Sequence, residues 1–344
     1  MKIAVLCPSE IAFRRFMPAL KKCQHFEYVG VGVNSIEERY GNKKPETSIM
    51  KKMLDDENKK ATNFVNNYGG IIFNSYEEIV KSTEIDAVYI PLPPALHFKW
   101  AKKALEKGKH VFLEKPATLN YEDTSILVDL AKKNKLALHE NYMFVFHEQL
   151  NVINNIVKSG EIGEVRLYRI NFGFPKRSNN DFRYNKSLGG GALIDAGGYT
   201  IKYATILLGN TVKIVYANMN YKNDYNVDMY GSGALINDNG ETVQISYGMD
   251  NDYKCELEVW GSKGSLKTGR VLTAPADFVP QVMISKGNTG ELKNLPCDDT
   301  FYKSIEYFYD CTNKESTRNE SYSNIERQAK LVDKFRKMGE CTEN

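Results

Sequence analysis

The chain has 344 residues, a length that predicts about two domains. Its 42% hydrophobic and 26% charged residues are typical of a globular protein and exclude a wholly disordered or collagen-like chain. The net charge of +3 is too small for a general nucleic-acid-binding surface, and no apolar run reaches the about 20 residues of a membrane helix. The first residues, 1–6, are strand-like and lack the long apolar region of a signal peptide, so we expect a cytoplasmic protein. The six cysteines include no CxxC pair, so we expect free thiols and no metal site.

Residues 1–145 alternate short apolar runs with helical patterns, which predicts a first domain of the α/β class with a parallel, doubly wound sheet. Residues 41–58 contain two lysine pairs and few apolar residues, and this composition indicates a surface insertion that is helical from Thr47 to Leu54. The six strands of the sheet are predicted at residues 3–6, 28–33, 70–73, 87–90, 110–113 and 136–139.

Residues 146–344 have a different pattern and predict a second domain with an antiparallel sheet. Its strands are predicted at residues 165–172, 212–218, 230–235, 242–247, 254–260 and 265–267. Residues 192–208 form the strongest helical pattern of this half. Two further helices are predicted at 301–310 and 324–338, and they can pack back on the first domain.

The loop after the first strand lies where parallel sheets bind nucleotides, at the carboxyl ends of the strands. It lacks the glycine fingerprint G-x-G-x-x-G. A helix that begins here still offers main-chain N–H groups to a pyrophosphate, so Pro8, Ser9, Glu10 and Ile11 are candidate cofactor-binding residues. The alternative is an ordinary strand–helix turn.

The second strand leads into Asn34 and Ser35, where an NAD-binding sheet usually carries Asp or Glu to hold the ribose hydroxyls. Small polar residues at this position, with Arg39 one helical turn later, leave room for a 2′-phosphate. The pattern therefore favours NADP(H) over NAD(H) as the cofactor. The alternative is that Arg39 is simply solvated.

Glu114, Lys115 and Pro116 end the fifth predicted strand, so Lys115 projects into the crevice above the sheet. An ammonium group there can donate to a carbonyl oxygen and stabilise the charge that develops during hydride addition. The tripeptide alone is a weak indication of a functional site, but its position directly after a strand strengthens that indication.

The segment LGGGALIDAGGY at 188–199 places three consecutive glycines before the predicted helix, which lets the backbone approach another group closely. Asp195 and Tyr199 are four residues apart and are expected on one helix face. A carboxylate and a phenol together can bind sugar hydroxyls and deliver a proton, above all beside a cation such as Lys115. The alternatives are an ordinary helix-end charge for Asp195 and a core aromatic ring for Tyr199.

The motifs around Lys115, Asn141 and Tyr199, with VWGSKGS at 259–265, resemble those of the Gfo/Idh/MocA (glucose–fructose oxidoreductase) family over nearly the whole chain. The resemblance implies a Rossmann domain followed by an α+β domain. The large open antiparallel sheet of the second domain often forms homodimer or homotetramer contacts in this family. FPK at 174–176 and DFRY at 181–184 are similar to the sugar-nucleotide C-3 ketoreductases of deoxysugar biosynthesis.

The same resemblance implies that Lys115 and Tyr199 are the catalytic pair. Arg183 is expected to hold a phosphate or the nicotinamide side of the cofactor. The alternative for His97 is a structural role in place of cofactor contact. The alternative for Lys176 is a position in a solvated basic loop in place of substrate contact. The cofactor candidates here are Pro91, Leu92, His97, Glu114, Lys115 and Arg183, and the substrate candidates are Lys115, Asn141, Lys176, Asp195 and Tyr199.

Three functions are consistent with these residues. The first is NADPH-dependent reduction of the C3 keto group of a nucleoside-diphosphate-linked keto-deoxysugar, which makes a nucleotide sugar the expected partner. The second is NAD-dependent oxidation of a free sugar or cyclitol in the same fold. The third, suggested by the unusual first loop, is a non-catalytic binding or regulatory protein.

Overall fold

The computed structural model describes residues 1–40, 47–179, 181–222 and 224–340, with the side chains of 39–40 and 47–50 left out. The chain forms two compact units. The first comprises Met1–Thr118, Glu122–Asn141 and Phe301–Glu326, and the second Leu119–Tyr121, Tyr142–Thr300 and Arg327–Asn344. That residues 1–145 and 146–344 are the two domains of the chain stays a prediction.

The first unit contains a six-stranded sheet. Its strands are β1 Lys2–Val5, β2 Glu27–Gly32, β3 Ile71–Phe73, β4 Ala87–Ile90, β5 His110–Glu114 and β6 Leu138–Asn141. They are ordered β3-β2-β1-β4-β5-β6, and all neighbouring pairs are parallel. Every residue of β4 is buried, as expected inside a parallel sheet. The predicted doubly wound Rossmann sheet is confirmed.

In the described residues the α-helices are α1 Met17–Leu20, α2 Ile36–Tyr40, α3 Thr47–Tyr68, α4 Tyr76–Lys81, α5 His97–Glu106, α6 Tyr121–Asn134, α7 Glu148–Lys158, α8 Gly198–Leu208, α9 Thr300–Asn313 and α10 Glu315–Glu340. Local sequence explains the start of α4: the Ser75 hydroxyl accepts from the Glu78 N–H and the Glu78 carboxylate accepts from the Asn74 N–H. None of the helices described is both long and apolar enough to cross a membrane.

Helix α3 corrects the length of the helix predicted within the surface insertion at 41–58. Residues 41–46 lie outside the described residues. From Thr47 the chain forms a 22-residue helix that continues well past Leu54. Glu57 is buried at 8% exposure, and Phe64 is buried at 1% with its ring 5.2 Å from that of Phe13. The helix was predicted too short because its buried side chains, among those described, are Glu57, Ala61 and Phe64, which all lie beyond Leu54.

The second unit contains an eight-stranded sheet. Its strands are β7 Val165–Gly173, β8 Lys213–Tyr221, β9 Asp228–Ile236, β10 Thr242–Gly248, β11 Lys254–Gly261, β12 Ser265–Gly269, β13 Gln281–Lys286 and β14 Thr289–Asn294. They are ordered β14-β13-β12-β11-β7-β10-β9-β8. The predicted antiparallel sheet is confirmed with one exception, because β10 and β7 are parallel. Helix α8 packs against β7 and β10.

The C-terminal segment of the first unit covers β6, which is an edge strand of its sheet. The Ser321 hydroxyl donates to the Leu138 carbonyl at 2.8 Å, and the Tyr322 hydroxyl donates to the Leu136 carbonyl. Phe308 is fully buried, with its ring 5.3 Å from that of Phe112 on β5. Two main-chain carbonyls at this edge of the sheet thereby gain partners within the chain.

Two histidines of the first unit are held in their neutral form. His97 is fully buried, and burial lowers its pKa to about 4, with a further contribution from the charge of Lys115. Burial also lowers the pKa of His110 to about 4, and its Nδ1 accepts from the Ala137 N–H at 2.9 Å. Neutral imidazole is the form that accepts such a bond.

We expect the free energy of unfolding to fall as the pH drops from 6.5 to 4. The unfolded chain binds a proton at His97 in this range and the folded chain does not, which costs about 3 kcal/mol of stability by pH 4. His97→Gln should remove this contribution, while His110→Gln removes a separate one. Urea unfolding at a series of pH values measures the slope. An identical slope in wild type and His97→Gln would contradict the assignment.

Candidate active site

The loop after β1 lies at the carboxyl end of the sheet. Two of its polar side chains bond to the first residues of the helix that follows. The Ser9 hydroxyl accepts from the Ala12 N–H at 3.2 Å, and the Glu10 carboxylate pairs with Arg14 at 3.3 Å. Pro8 is buried, whereas Glu10 and Ile11 are exposed. These candidates have the predicted position, and their contact with a cofactor stays a prediction.

Two carboxylates lie at the end of β2. Glu57 accepts from the main-chain N–H of Asn34 at 2.9 Å, and Glu38 accepts from that of Ser35 at 2.9 Å. The Ser35 hydroxyl accepts in turn from the Glu38 N–H at 3.2 Å, a capping box that begins α2. The side chain of Arg39 lies outside the described residues. The main-chain donors of Asn34 and Ser35 are therefore already bonded within the chain.

The turn after β4 is held by the buried His97 ring. Its two nitrogens lie 2.7 Å from the carbonyl oxygens of Leu92 and Pro116. A neutral ring donates to one of these oxygens at a time. The Pro91 carbonyl accepts from the Cys7 thiol at 3.3 Å. Because His97 has no exposed surface, its predicted direct contact with the cofactor is wrong, and its role is to join the two turns.

The turn that carries Lys115 is fixed by buried polar groups on both sides. Glu114 Oε1 accepts from the Tyr89 hydroxyl at 2.8 Å and from Asn141 Nδ2 at 2.7 Å. Further along, Glu140 accepts from the Ala117 N–H at 2.8 Å. The Lys115–Pro116 peptide bond is cis. Burial raises the pKa of Glu114, while the two bonds and the charge of half-buried Lys115 oppose this shift.

Asn141 does not bind substrate in the way the sequence suggested. The residue has no exposed surface, and both ends of its amide are bonded inside the first unit. Its Nδ2 donates to Glu114, and its Oδ1 accepts from the Ser304 hydroxyl at 2.8 Å. The predicted substrate contact is wrong because the whole residue lies beneath the turn that carries Lys115.

The glycines of residues 189–198 make room for groups of the chain itself. A Cβ at Gly190 would lie 2.3 Å from the Arg183 carbonyl oxygen, and one at Gly191 would lie 2.4 Å from Asp228 Oδ1. Asp228 accepts from the Leu193 N–H at 2.6 Å, and burial raises the pKa of its carboxyl to about 6. The close approach predicted for this segment is therefore made to protein groups.

Asp195 lies in a π-helical turn, Leu193–Gly197, that precedes α8. The expected shared α-helical face with Tyr199 is therefore altered, because a π turn contains more residues than an α turn. Arg183 Nε donates to Asp195 Oδ2 at 2.6 Å, and Arg183 Nη1 donates to Asp181 at 3.1 Å. One guanidinium thus joins two carboxylates, which hold its pKa above the usual value against the effect of burial.

Tyr199 sits in an aromatic cluster of the second unit at 7% exposure. Its ring centroid lies 5.1 Å from that of Tyr142, 5.8 Å from that of Phe144 and 5.3 Å from that of Phe172. The hydroxyl lies 3.9 Å from the Met143 sulfur and donates to it. The surrounding rings fix the direction of the phenol.

Lys176 is exposed and lies over an aromatic ring. Its ammonium is 5.1 Å from the ring centroid of Tyr225, whose hydroxyl raises the lysine pKa. The Tyr225 ring is itself 5.2 Å from that of Tyr184. This arrangement combines a cation with a pair of tilted aromatic rings in contact on the second unit.

Within the first unit, the structure brings Glu114, Lys115 and Asn141 together, and within the second unit it joins Arg183 to Asp195. Sequence reasoning missed Glu57 and Ser304. Both are distant in sequence from the residues they contact, and no motif indicated them. The supporting residue Glu140 could have been found, since it directly precedes Asn141 in the motif that carried the resemblance.

Comparison with known proteins identifies both halves of the chain. Residues 26–142 match the model of an oxidoreductase family with an NAD-binding Rossmann fold, and residues 151–267 match the GFO/IDH/MocA C-terminal domain. Relatives named dTDP-3,4-didehydro-2,6-dideoxy-alpha-D-glucose 3-reductase occur in Actinomadura kijaniata and Streptomyces violaceoruber. Each is 33% identical over 98% of this chain, which covers 95% and 94% of their lengths.

Solved structures give the same result. A 3-ketoreductase from Actinomadura kijaniata, in complex with NADP and TDP-benzene, is 32% identical with a TM-score of 0.87, over 98% of this chain and 97% of that one. An aldose-aldose oxidoreductase from Caulobacter crescentus shares the fold at 19% identity and a TM-score of 0.82, over 100% of this chain and 98% of that one. The chain belongs to the Gfo/Idh/MocA family of oxidoreductases.

Proposed function

We propose that the protein uses NADPH to reduce the C3 keto group of a nucleoside-diphosphate-linked keto-deoxysugar. One observation carries the proposal. Variants of the 3-ketoreductase from Actinomadura kijaniata, crystallised with NADP and TDP-benzene, replace a lysine and a tyrosine that are eighty-four positions apart. Lys115 and Tyr199 are separated by the same interval in this chain.

The reaction adds one hydride and one proton across the C3 carbonyl, so that the ketone becomes a secondary alcohol. When bound, NADPH supplies the hydride to C3. We assign the proton to the Tyr199 hydroxyl, which gives it to the C3 oxygen. The Lys115 ammonium donates a hydrogen bond to the same oxygen and stabilises its growing negative charge.

The surroundings of Tyr199 support its assignment as the acid. A thioether is a weak hydrogen-bond acceptor, so the bond from the phenol to the Met143 sulfur is readily exchanged for one to a substrate oxygen. The rings of Tyr142, Phe144 and Phe172 hold the phenol in one direction and limit the access of water. Both effects favour proton transfer to a bound carbonyl.

The remaining substrate contacts are assigned from charge. Asp195 is fixed by its bond to Arg183, which leaves a carboxylate of defined orientation for a sugar hydroxyl. Arg183 is already bonded to Asp181 and Asp195, so this cluster has a net negative charge and is a poor phosphate ligand. We assign the diphosphate to exposed Lys176 instead, beside the Tyr225 ring.

The end of β2 bears on the choice of cofactor. Carboxylates at this position usually hold the ribose hydroxyls of NAD, and Glu38 and Glu57 bond the main chain there. This observation favours the second function, an NAD-dependent dehydrogenase of a free sugar or cyclitol. The bound NADP of the related structures supports NADPH, and we retain it. The predicted cytoplasmic location is consistent with this cofactor and stays a prediction.

We expect Lys115→Met and Tyr199→Phe each to lower kcat by about 100-fold or more, because each loses a group that acts on the C3 oxygen. Thermal unfolding should be nearly unchanged. Tyr203→Phe is the matched control, since it makes the same change one turn further along α8. Turnover near the wild-type value in both catalytic variants would contradict the mechanism.

Cofactor titration separates the two candidate activities. We expect NADPH to quench protein fluorescence at lower concentration than NADH. In Glu57→Gln the preference for NADPH should increase, since a negative charge near the 2′-phosphate is lost while the amide oxygen still accepts from Asn34. Tighter binding of NADH, with no competition by a nucleoside diphosphate for the substrate site, would support the dehydrogenase instead.

We also propose a homodimer or homotetramer that forms through the exposed face of the second sheet. A row of side chains crosses this face, with exposed Tyr216 at one end and Leu292 at the other. Between them, Arg169 pairs with Glu258 at 3.6 Å. Sedimentation should give a mass of two or four chains of 39.1 kDa. A monomer at micromolar concentration would contradict this proposal.

A further inference from the structure

A chain of buried hydrogen bonds runs from α9 to the carboxylate beside Lys115, entirely within the first unit. The Ser304 hydroxyl donates to Asn141 Oδ1 at 2.8 Å, and Asn141 Nδ2 donates to Glu114 Oε1 at 2.7 Å. His139 Nε2 lies 2.8 Å from the Ser304 oxygen. Ser304 and Asn141 have no exposed surface and His139 has 4%, so water does not compete for these bonds.

The direction of these bonds follows from the number of protons available. A serine hydroxyl has one proton, and Ser304 gives it to the Asn141 amide oxygen, which can only accept. His139 must then donate its Nε2 proton to Ser304, and this tautomer is assigned from the bonding partners. The amide nitrogen of Asn141 must face the Glu114 carboxylate. Each group therefore has a single orientation that satisfies all its neighbours.

Glu114 connects this chain of hydrogen bonds to Lys115. The charge of Lys115 and its main-chain N–H both oppose the rise that burial causes in the pKa of the Glu114 carboxyl. The Tyr89 hydroxyl is a further donor, at 2.8 Å. The carboxylate cannot rotate without losing the Asn141 amide and the Tyr89 hydroxyl, and Lys115 directly follows Glu114 in the chain.

We propose that Asn141 and Ser304 are positioning residues for Lys115, acting through the Glu114 carboxylate. Neither residue can touch substrate or cofactor, because both are completely buried. Loss of Asn141 removes a donor from Glu114, and loss of Ser304 removes a bond that orients this donor amide. In either case the ammonium beside Glu114 loses its fixed direction. The inference rests on the proposed function, in which Lys115 acts on the carbonyl oxygen, and it extends the catalytic support to a helix that begins 185 residues after Lys115.

The test compares two serines of the C-terminal segment. Ser304→Ala removes the donor to Asn141, and Asn141→Leu removes both bonds of the amide at similar volume. Ser321→Ala is the matched control, because Ser321 is also buried and donates to β6, at the Leu138 carbonyl, but has no bond to Glu114. Measurements are kcat and KM with NADPH, thermal unfolding, and the acylation rate of Lys115 followed by mass spectrometry without substrate.

We expect Ser304→Ala and Ser321→Ala to unfold at similar temperatures. Only Ser304→Ala and Asn141→Leu should lower kcat, by about 10- to 100-fold, with KM for NADPH changed less than about threefold. The Lys115 acylation rate should change by at least about threefold in these two variants and remain at the wild-type value in Ser321→Ala.

Unchanged kcat and unchanged Lys115 acylation in both Ser304→Ala and Asn141→Leu would overturn the inference. An equal loss of activity in Ser321→Ala would also overturn it, since the loss would then follow stability. If the wild-type protein and Lys115→Met both reduce no keto-sugar, the proposed function fails. The acylation rates need no substrate and still decide the role of Asn141 and Ser304.

Discussion

Polar atoms that water cannot reach must find partners inside the protein, and this constraint shapes the turn that carries Lys115. The turn is bonded by Tyr89 from β4, by His97 at the start of α5, and by Glu140 and Asn141 from β6. Removing one partner leaves a buried donor or acceptor unpaired, at a cost of about 1–3 kcal/mol. The turn therefore has one arrangement, in which a half-buried ammonium is held at the carboxyl edge of the sheet.

The second unit fixes its phenol by a different means. Glycines allow the backbone to approach protein groups at distances that a side chain would forbid: at Gly197 an added Cβ would lie 2.9 Å from the Leu193 side chain, and at Gly198 it would lie 2.4 Å from the Tyr142 hydroxyl. Tyr142 in turn packs edge-on against Tyr199 at 5.1 Å. Backbone packing and ring packing thus set the position of Tyr199, whereas hydrogen bonds set that of Lys115.

Sequence patterns predicted the elements whose burial is continuous or strictly alternating. The strand Ala87–Ile90 was predicted with its observed limits because all four residues are buried and prolines follow it. Strand β14 was missed because it is almost entirely exposed and shows no apolar alternation, and β13 was missed with it because its burial alternates over only four residues. The π-helical turn at Leu193–Gly197 was missed because helical periodicity assumes the α-helical angle per residue.

Site residues were predicted correctly in position where a local sequence pattern marks them. Buried polar residues that hydrogen-bond to the rest of the protein were instead mistaken for ligand contacts. Lys115 follows a strand and Tyr199 follows a glycine run, so local pattern indicated both. Asn141 and His97 looked like ligand contacts because they are polar, but their environment depends on distant partners. For Asn141 that partner is Ser304, 163 residues away, which no local pattern can indicate.

The order of the units along the chain has a consequence for biosynthesis. The segment Phe301–Glu326 that covers β6 leaves the ribosome only after the whole eight-stranded sheet has been made. Until then, the hydroxyl partners of the Leu136 and Leu138 carbonyls are missing, and an uncovered edge strand is prone to pair with other nascent chains. The first unit is therefore completed only after the second sheet has been synthesised, and chains that stall before this point would need chaperone protection at this edge.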